Sequence, residues 1–192
     1  MIETPCVIFA GGKSSRMGED KSLLPFGGYT SLAQYQYQRL SKIFSSVYIV
    51  TKSSSKFSFE ANFIEDLPGY DTYAPTIAFL SIYQRLSSES FLAISVDAPF
   101  IDTVIIEQLI EEDREEYDAT IASTPSGMQP LCGVYHRSLE HSFQEMLHSN
   151  EHKLGKLLKD SQTHFVAFPE STKFLNLNHK EEYLKAVEIF NN

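Results

Sequence analysis

Short apolar runs alternate with amphipathic stretches along the whole chain. The run at residues 4–10 stops at Gly11 and Gly12, as expected of a central strand that opens into a loop. Leu32, Tyr35, Gln36, Leu40, Ile43 and Phe44 then recur at three- and four-residue spacing, which predicts a helix with one buried face, capped by Thr30 or Ser31. Val47 to Val50 predicts a second strand. The polar, serine-rich TKSSSKFS that follows has no periodicity and reads as a solvated connection. Asn62 to Glu65 predicts a short strand ending at Asp66, and a turn-rich stretch from Leu67 to Ala74 leads to a helix opened by Pro75, with Ile77, Leu80, Tyr83 and Leu86 inward.

Phe91 to Val96 is the clearest buried strand, broken by Asp97 and Pro99, after which Asp102 caps a helix carrying Ile105, Ile106, Leu109 and Ile110. Strands near 118–123 and 131–136, helices near 138–148 and 153–160, a strand near 164–168 and a last helix from about 179 complete the pattern. Strands alternating with helices predict an α/β fold, a three-layer α/β/α sandwich with a mostly parallel, Rossmann-like central sheet. In such sheets ligands bind where loops leave the carboxyl ends of strands, and the glycine pair, Asp66 and Asp97 all fall at such ends. With 192 residues, 42% of them hydrophobic, and no internal repeat or linker, residues 1–192 form a single domain on this reading.

Charge narrows the choice of partner. A formal net charge of -9 argues against nucleic acid, which requires clustered basic residues. No apolar stretch is long enough to cross a bilayer, so no membrane partner is expected, and the opening MIETPCVIFAGG lacks a basic segment followed by a long apolar one, so a cytoplasmic location is expected. Cys6 and Cys132 read as core thiols. Against the acidic background, Lys13, Arg16 and Lys21 gather within nine positions and would draw an anionic small molecule to that segment.

That segment, FAGGKSSRMGEDKSLLPFGG at 9–28, carries the candidate chemistry. Gly11 and Gly12 remove side chains where a backbone must turn and approach a ligand, leaving amide groups to hold phosphate oxygens. The three cations can orient a triphosphate and stabilise the charge gathering on departing pyrophosphate. A Walker A loop would place glycine where Val7 stands, and a dinucleotide fingerprint would place it where Ser14 stands, so neither pattern fits. A bare glycine pair could also be a tight turn; the full string decides otherwise. Asp97 is the candidate metal ligand, because Mg²⁺ keeps several waters and needs only one or two carboxylates beside substrate phosphates. Asp97 could instead cap the turn, but Asp102 already fills that role. Asp66, before Leu-Pro-Gly, follows its own strand in the same way and is a candidate site residue or a turn residue.

The segment resembles the LAGGxSxRMGxDKxLLxxxG signature of the molybdenum cofactor guanylyltransferase family, with Phe9 in place of leucine. The resemblance implies a nucleotidyltransferase fold in which Phe9, Ala10 and Gly11 present backbone atoms to guanine, Gly12 adds to the nucleotide site, and Arg16 and Lys21 meet the phosphates as catalytic groups. SVDAPF at 95–100 is similar to the family's DxPF string, whose aspartate holds magnesium, and the aspartate matching Asp66 contacts the nucleotide. FLNLNHKEEY at 174–183 resembles the closing FxNxNxxEE string, which places Asn176 and Asn178 on the pterin side; Asn178 with Glu181 also fits a helix capping box. QPLCGVYH at 129–136 is similar to a loose strand motif near the pterin.

The implied reaction is transfer of GMP from GTP to molybdopterin with release of pyrophosphate and Mg²⁺ as the ion. Transient contact with molybdenum cofactor insertion proteins or recipient enzymes is implied too. Two departures bear on base selectivity: APTIAF at 74–79 replaces a GPLAGI-like segment, and Val50 stands where family members can carry a base-reading asparagine. Transfer from CTP to the pterin, or from another nucleotide to a sugar or polyol phosphate, keeps the same chemistry; a non-catalytic nucleotide sensor is the other class of reading. His148 and His152 are spaced to share a helix face, which reads as solvated rather than metal-binding.

Overall fold

The computed structural model describes residues 1–11, 18–70 and 75–191. Seven strands form one sheet: β1 (Cys6–Phe9), β2 (Val47–Thr51), β3 (Phe63–Glu65), β4 (Ser90–Ser95), β5 (Ala119–Thr124), β6 (Gly127–His136) and β7 (Thr163–Ala167). Their order is β3-β2-β1-β4-β6-β5-β7, with β6 antiparallel to both neighbours and every other pair parallel. The predicted mostly parallel sheet is present, with one reversed strand in its interior.

Among the described residues six α-helices cover the sheet: α1 (Leu32–Leu40), α2 (Pro75–Arg85), α3 (Thr103–Glu112), α4 (Glu140–His148), α5 (Leu154–Asp160) and α6 (Lys180–Asn191). The alternation of side chains along a strand sorts them into two cores. Cys6 and Ile8 of β1 point with Leu92 and Ile94 of β4 into the core under α1, α3 and α6, while Val7, Phe9, Phe91 and Ala93 point into the core under α2, α4 and α5. Both cysteines are buried and free, as expected of core thiols, and burial pushes their pKa values well up.

Several boundaries differ from the sequence pattern for local reasons. Helix α1 starts where Ser31 accepts a bond from the Gln34 amide at 3.1 Å, so Ser31 and not Thr30 is its cap. It ends at Leu40, although Ile43 and Phe44 keep helical spacing; Phe44 instead bridges Ile2 and remains buried. Helix α2 is buried all round from Thr76 to Tyr83, not on one stripe. Strand β6 begins at Gly127 rather than near 131, because a tight connection folds it back on β5. His148 ends α4 and His152 lies beyond it, with Nδ1 3.0 Å from Thr76 Oγ1, so the two do not share a helix face. No helix among the described residues is long and apolar enough to cross a membrane.

The β5–β6 hairpin is close-fitted around Gly133. A Cβ there would press on the Thr120 carbonyl and come within 2.7 Å of Ile121 Cδ1. Gly133→Ala should therefore lower unfolding stability by about 1–3 kcal/mol in urea denaturation; equal stability would contradict this packing.

Candidate active site

The carboxyl ends of β1 and β4 lie side by side. Phe9 pairs with Ser95, and the Val96 amide donates to the Phe9 carbonyl at 3.1 Å. On the other side of β1 the Ala10 amide donates to the Val50 carbonyl at 2.9 Å, so three strand ends meet where the glycine-rich segment begins. Phe9 buries its ring against Phe79 and Ala10 is buried, so these two offer a ligand backbone rather than side chain, while Gly11 is exposed. Gly12, Lys13 and Arg16 lie outside the described residues, as does Ala74.

The chain re-emerges at Gly18 and reaches a one-turn 3-10 helix at Lys21–Leu23. Asp20 caps it, accepting from the Ser22 amide at 3.0 Å and the Ser22 hydroxyl at 2.7 Å. The turn aims Lys21 across the strand ends: Nζ lies 2.9 Å from Asp97 Oδ2 and 2.8 Å from Asn178 Oδ1. Asp97 Oδ1 accepts the Ser95 hydroxyl at 2.6 Å, and its carbonyl accepts the Leu177 amide at 2.9 Å. Lys21, Asp97 and Asn178, predicted from separate segments, therefore form one contact. The Lys21 and Asp97 side chains are only 15% and 16% exposed, so their attraction is screened less than that of a surface pair.

The capping box expected of Asn178 and Glu181 is made differently. Glu182 accepts the Asn178 amide at 2.6 Å and the His179 amide at 2.8 Å, while the Asn178 side chain is used by Lys21. Asn176 lines a cleft of about 550 Å³ beside Asp97, with Ser95, Gln129, Leu131 and Lys153 also on its walls. That volume suits an organic ligand. The cleft owes its shape to β6: between the pairs Ile121–Gly133 and Ser123–Met128 four residues of β6 face one of β5, and Pro130, with no amide hydrogen, sits in that bulge.

Beneath Asp97 lies a brace that the hydrophobic pattern counted only as a packing face. Gln36, fully buried, donates through Nε2 to the Ser95 and Val96 carbonyls at 3.3 and 3.1 Å. Arg39 donates to Gln36 Oε1 at 2.6 Å and to the Ile101 carbonyl at 2.7 Å. Both flanks of Asp97 are thereby tied to α1. Lys56, from the serine-rich stretch read as a solvated connection, was also missed: Nζ lies 3.1 Å from the Ala10 carbonyl and 2.8 Å from Asp20 Oδ2. A lysine in a serine-rich stretch without periodicity carries no signal that would mark it.

Asp66 leaves β3, two strands from β1, with its amide on the Thr51 carbonyl at 3.0 Å. Its Oδ1 is buried and, among the described residues, has no hydrogen-bond partner. Burial raises its pKa against the opposing charges of Lys52 and Lys56. Folding thus favours the protonated carboxyl: the stability it contributes is present below the ordinary aspartate value and is lost as pH rises through the raised one. Asp66→Asn should raise the thermal midpoint at neutral pH, and the gain should vanish in acid below the ordinary aspartate range. Thermal denaturation at the two pH values checks this, and no gain at neutral pH would contradict it.

Comparison with known proteins identifies the family. The family described as the MobA-like NTP transferase domain matches residues 6–165. A molybdenum cofactor guanylyltransferase of Campylobacter jejuni subsp. doylei is 40% identical over 183 residues, 95% of either chain. Its namesake in Helicobacter pylori strain G27 is 30% identical over 190 residues, 96% of this chain and 92% of the relative. Molybdopterin-guanine dinucleotide biosynthesis protein A from Archaeoglobus fulgidus, at 19% identity, shares the fold with a TM-score of 0.83 over 98% of this chain and 99% of its own. The chain belongs to the molybdenum cofactor guanylyltransferase family of MobA-like NTP transferases.

Proposed function

We propose that the protein transfers GMP from GTP to molybdopterin, releasing pyrophosphate and forming the guanine dinucleotide form of the cofactor. The observation that carries this reading is the contact of Lys21 with Asp97 at the adjoining ends of β1 and β4, beside a cleft large enough for an organic acceptor. Both residues fall in strings shared with the family, and the relatives named above carry that activity in their names.

On this reading the triphosphate lies along the glycine-rich segment and the terminal phosphate of the pterin enters from the cleft lined by Asn176. A phosphate nucleophile is already ionised, so no general base is required. The protein's contribution is to align attacking and leaving oxygens and to hold fixed charge where negative charge develops. Lys21 supplies such a charge, and Arg16 a second. Asn178 fixes the Lys21 ammonium from the side opposite its turn. Asp66, whose buried Oδ1 has no hydrogen-bond partner among the described residues, is the further group proposed to receive the nucleotide.

Mg²⁺ is proposed as the metal. The described residues contain no cluster of three or more metal-ligating side chains, so no all-protein cage is offered among them. One hard carboxylate at the cleft, Asp97, fits an ion shared with substrate phosphates. When bound, such an ion neutralises phosphate charge and orients the oxygens. Lys21, held beside Asp97 and Asn178, would present its ammonium to the phosphates next to the site of such an ion.

Val50 is buried, so base choice rests on backbone groups at the end of β1 and on competition experiments among GTP, CTP, ATP and UTP. Pyrophosphate should be released from GTP only when molybdopterin and Mg²⁺ are both supplied; release without acceptor, or none with it, contradicts the proposal. Lys21→Ala should remove about 2–4 kcal/mol of transition-state stabilisation, roughly a thirty- to nine-hundred-fold loss in turnover. Near-normal turnover in that variant would contradict the assigned role.

A further inference from the structure

We infer that Lys56 is a positioning residue for the nucleotide loop, one ammonium group that ties the residue leaving β1 to the residue capping the turn of Lys21. The inference rests on the nucleotide site proposed above. Ala10 and Asp20 bracket the glycine-rich segment, and Lys56 Nζ reaches both, at 3.1 Å to the Ala10 carbonyl and 2.8 Å to Asp20 Oδ2. An ammonium has three donors, so a single lysine can close such a bracket with two of them.

Lys56 is itself held in place. It ends a 3-10 turn, Ser54–Lys56, whose first residue donates both its amide and its hydroxyl to Glu65 Oε1 at 2.7 Å each. Its Nζ also lies 4.9 Å from the centre of the Phe57 ring, within range of a cation–π attraction. The consequence runs through Asp20. One oxygen of that carboxylate is used by Ser22 to set the turn of Lys21, and the other by Lys56. Contacts and chain neighbours therefore connect the end of β3, through Glu65 to Ser54 in the turn of Lys56 and through Lys56 to Asp20 in the turn of Lys21, to Asp97 at the end of β4.

An exposed lysine–aspartate pair contributes little to stability, and this pair is partly exposed, at 24% and 35%. What sets it apart is that its two acceptors sit at opposite ends of one loop. Holding Asp20, and through its cap the turn of Lys21, in place before the nucleotide arrives lowers the ordering cost of binding. Lys56 thus acts on nucleotide affinity rather than on the stability of the fold.

The test is calorimetric titration of the full chain with GTP and Mg²⁺, alongside thermal midpoints. Lys56→Met should weaken GTP binding about tenfold to a hundredfold, the usual range for a residue that orients a ligand-holding group, while the midpoint stays close to the parent's. Lys56→Arg should recover most of the affinity, since a guanidinium can reach two acceptors. Glu65→Ala should weaken binding in the same direction and by less. In an Asp20→Asn background, where the bracket is already broken, Lys56→Met should cost no more than about twofold by the logic of double-mutant cycles. Parent-like affinity in Lys56→Met overturns the inference, and so does an undiminished loss in the Asp20→Asn background, which would mean that Lys56 meets the nucleotide itself. A parent chain that binds no GTP would sink the proposed nucleotide site first, and this inference with it.

Discussion

Lys21 and Asp97 stand 76 positions apart in the chain, and the 2.9 Å contact between them requires β1 and β4 to be neighbours in one sheet, in register at Phe9 and Ser95. A lysine and an aspartate placed so close at a cleft give one patch both signs of charge: an ammonium for phosphate oxygens and a carboxylate for a hard cation. The supports around this pair serve its geometry. The capped 3-10 turn sets the direction of Lys21, Ser95 and Leu177 hold the two ends of Asp97, and Asn178 holds the ammonium from α6's approach. A buried brace of Gln36 and Arg39 fixes the loop from below, and burial lowers the pKa of Arg39 without a carboxylate to pair it in that brace.

The reversed strand gives the site its second half. A wholly parallel sheet would send a crossover helix over each strand end, whereas β6 runs back beside β4 and brings its bulge to the carboxyl end of that strand. Gln129 to Cys132 then face the cleft that also contains Asp97 and Asn176. The overall charge of -9 stays compatible with binding an anionic substrate, because three cations, Lys13, Arg16 and Lys21, fall within nine positions of the sequence after β1.

Much of this was legible in the sequence where the signal was local. The apolar run before Gly11, the cap of α3 by Asp102 and the delivery of Asp97 by β4 each depend on residues a few positions apart, and each is present. The family resemblance put Asn178 on the pterin side, while spacing alone left it divided between cap and site; its side chain accepts from Lys21. What was not legible depends on distant partners. The hydrophobic pattern began the sixth strand near 131, because Gly127 and Pro130 disfavour strand, yet pairing with β5 starts it at Gly127. Ile43 and Phe44 kept a helical spacing that tertiary contact with Ile2 overrides. Lys56 took its meaning from acceptors 46 and 36 positions away, and Gln36 from carbonyls 59 and 60 positions on. One structural choice was missed by a single place: Glu182, not Glu181, closes the cap of α6.

The central claim is that the segment after β1 and the carboxylate after β4 serve one bound triphosphate. A crystal structure of the full chain with GTP and Mg²⁺ tests it most directly. The account predicts phosphate oxygens against Lys21 and the backbone that follows Ala10, with the metal ion bridging them to Asp97. A nucleotide seated elsewhere, or one that leaves Asp97 bound to neither metal nor phosphate, would contradict it.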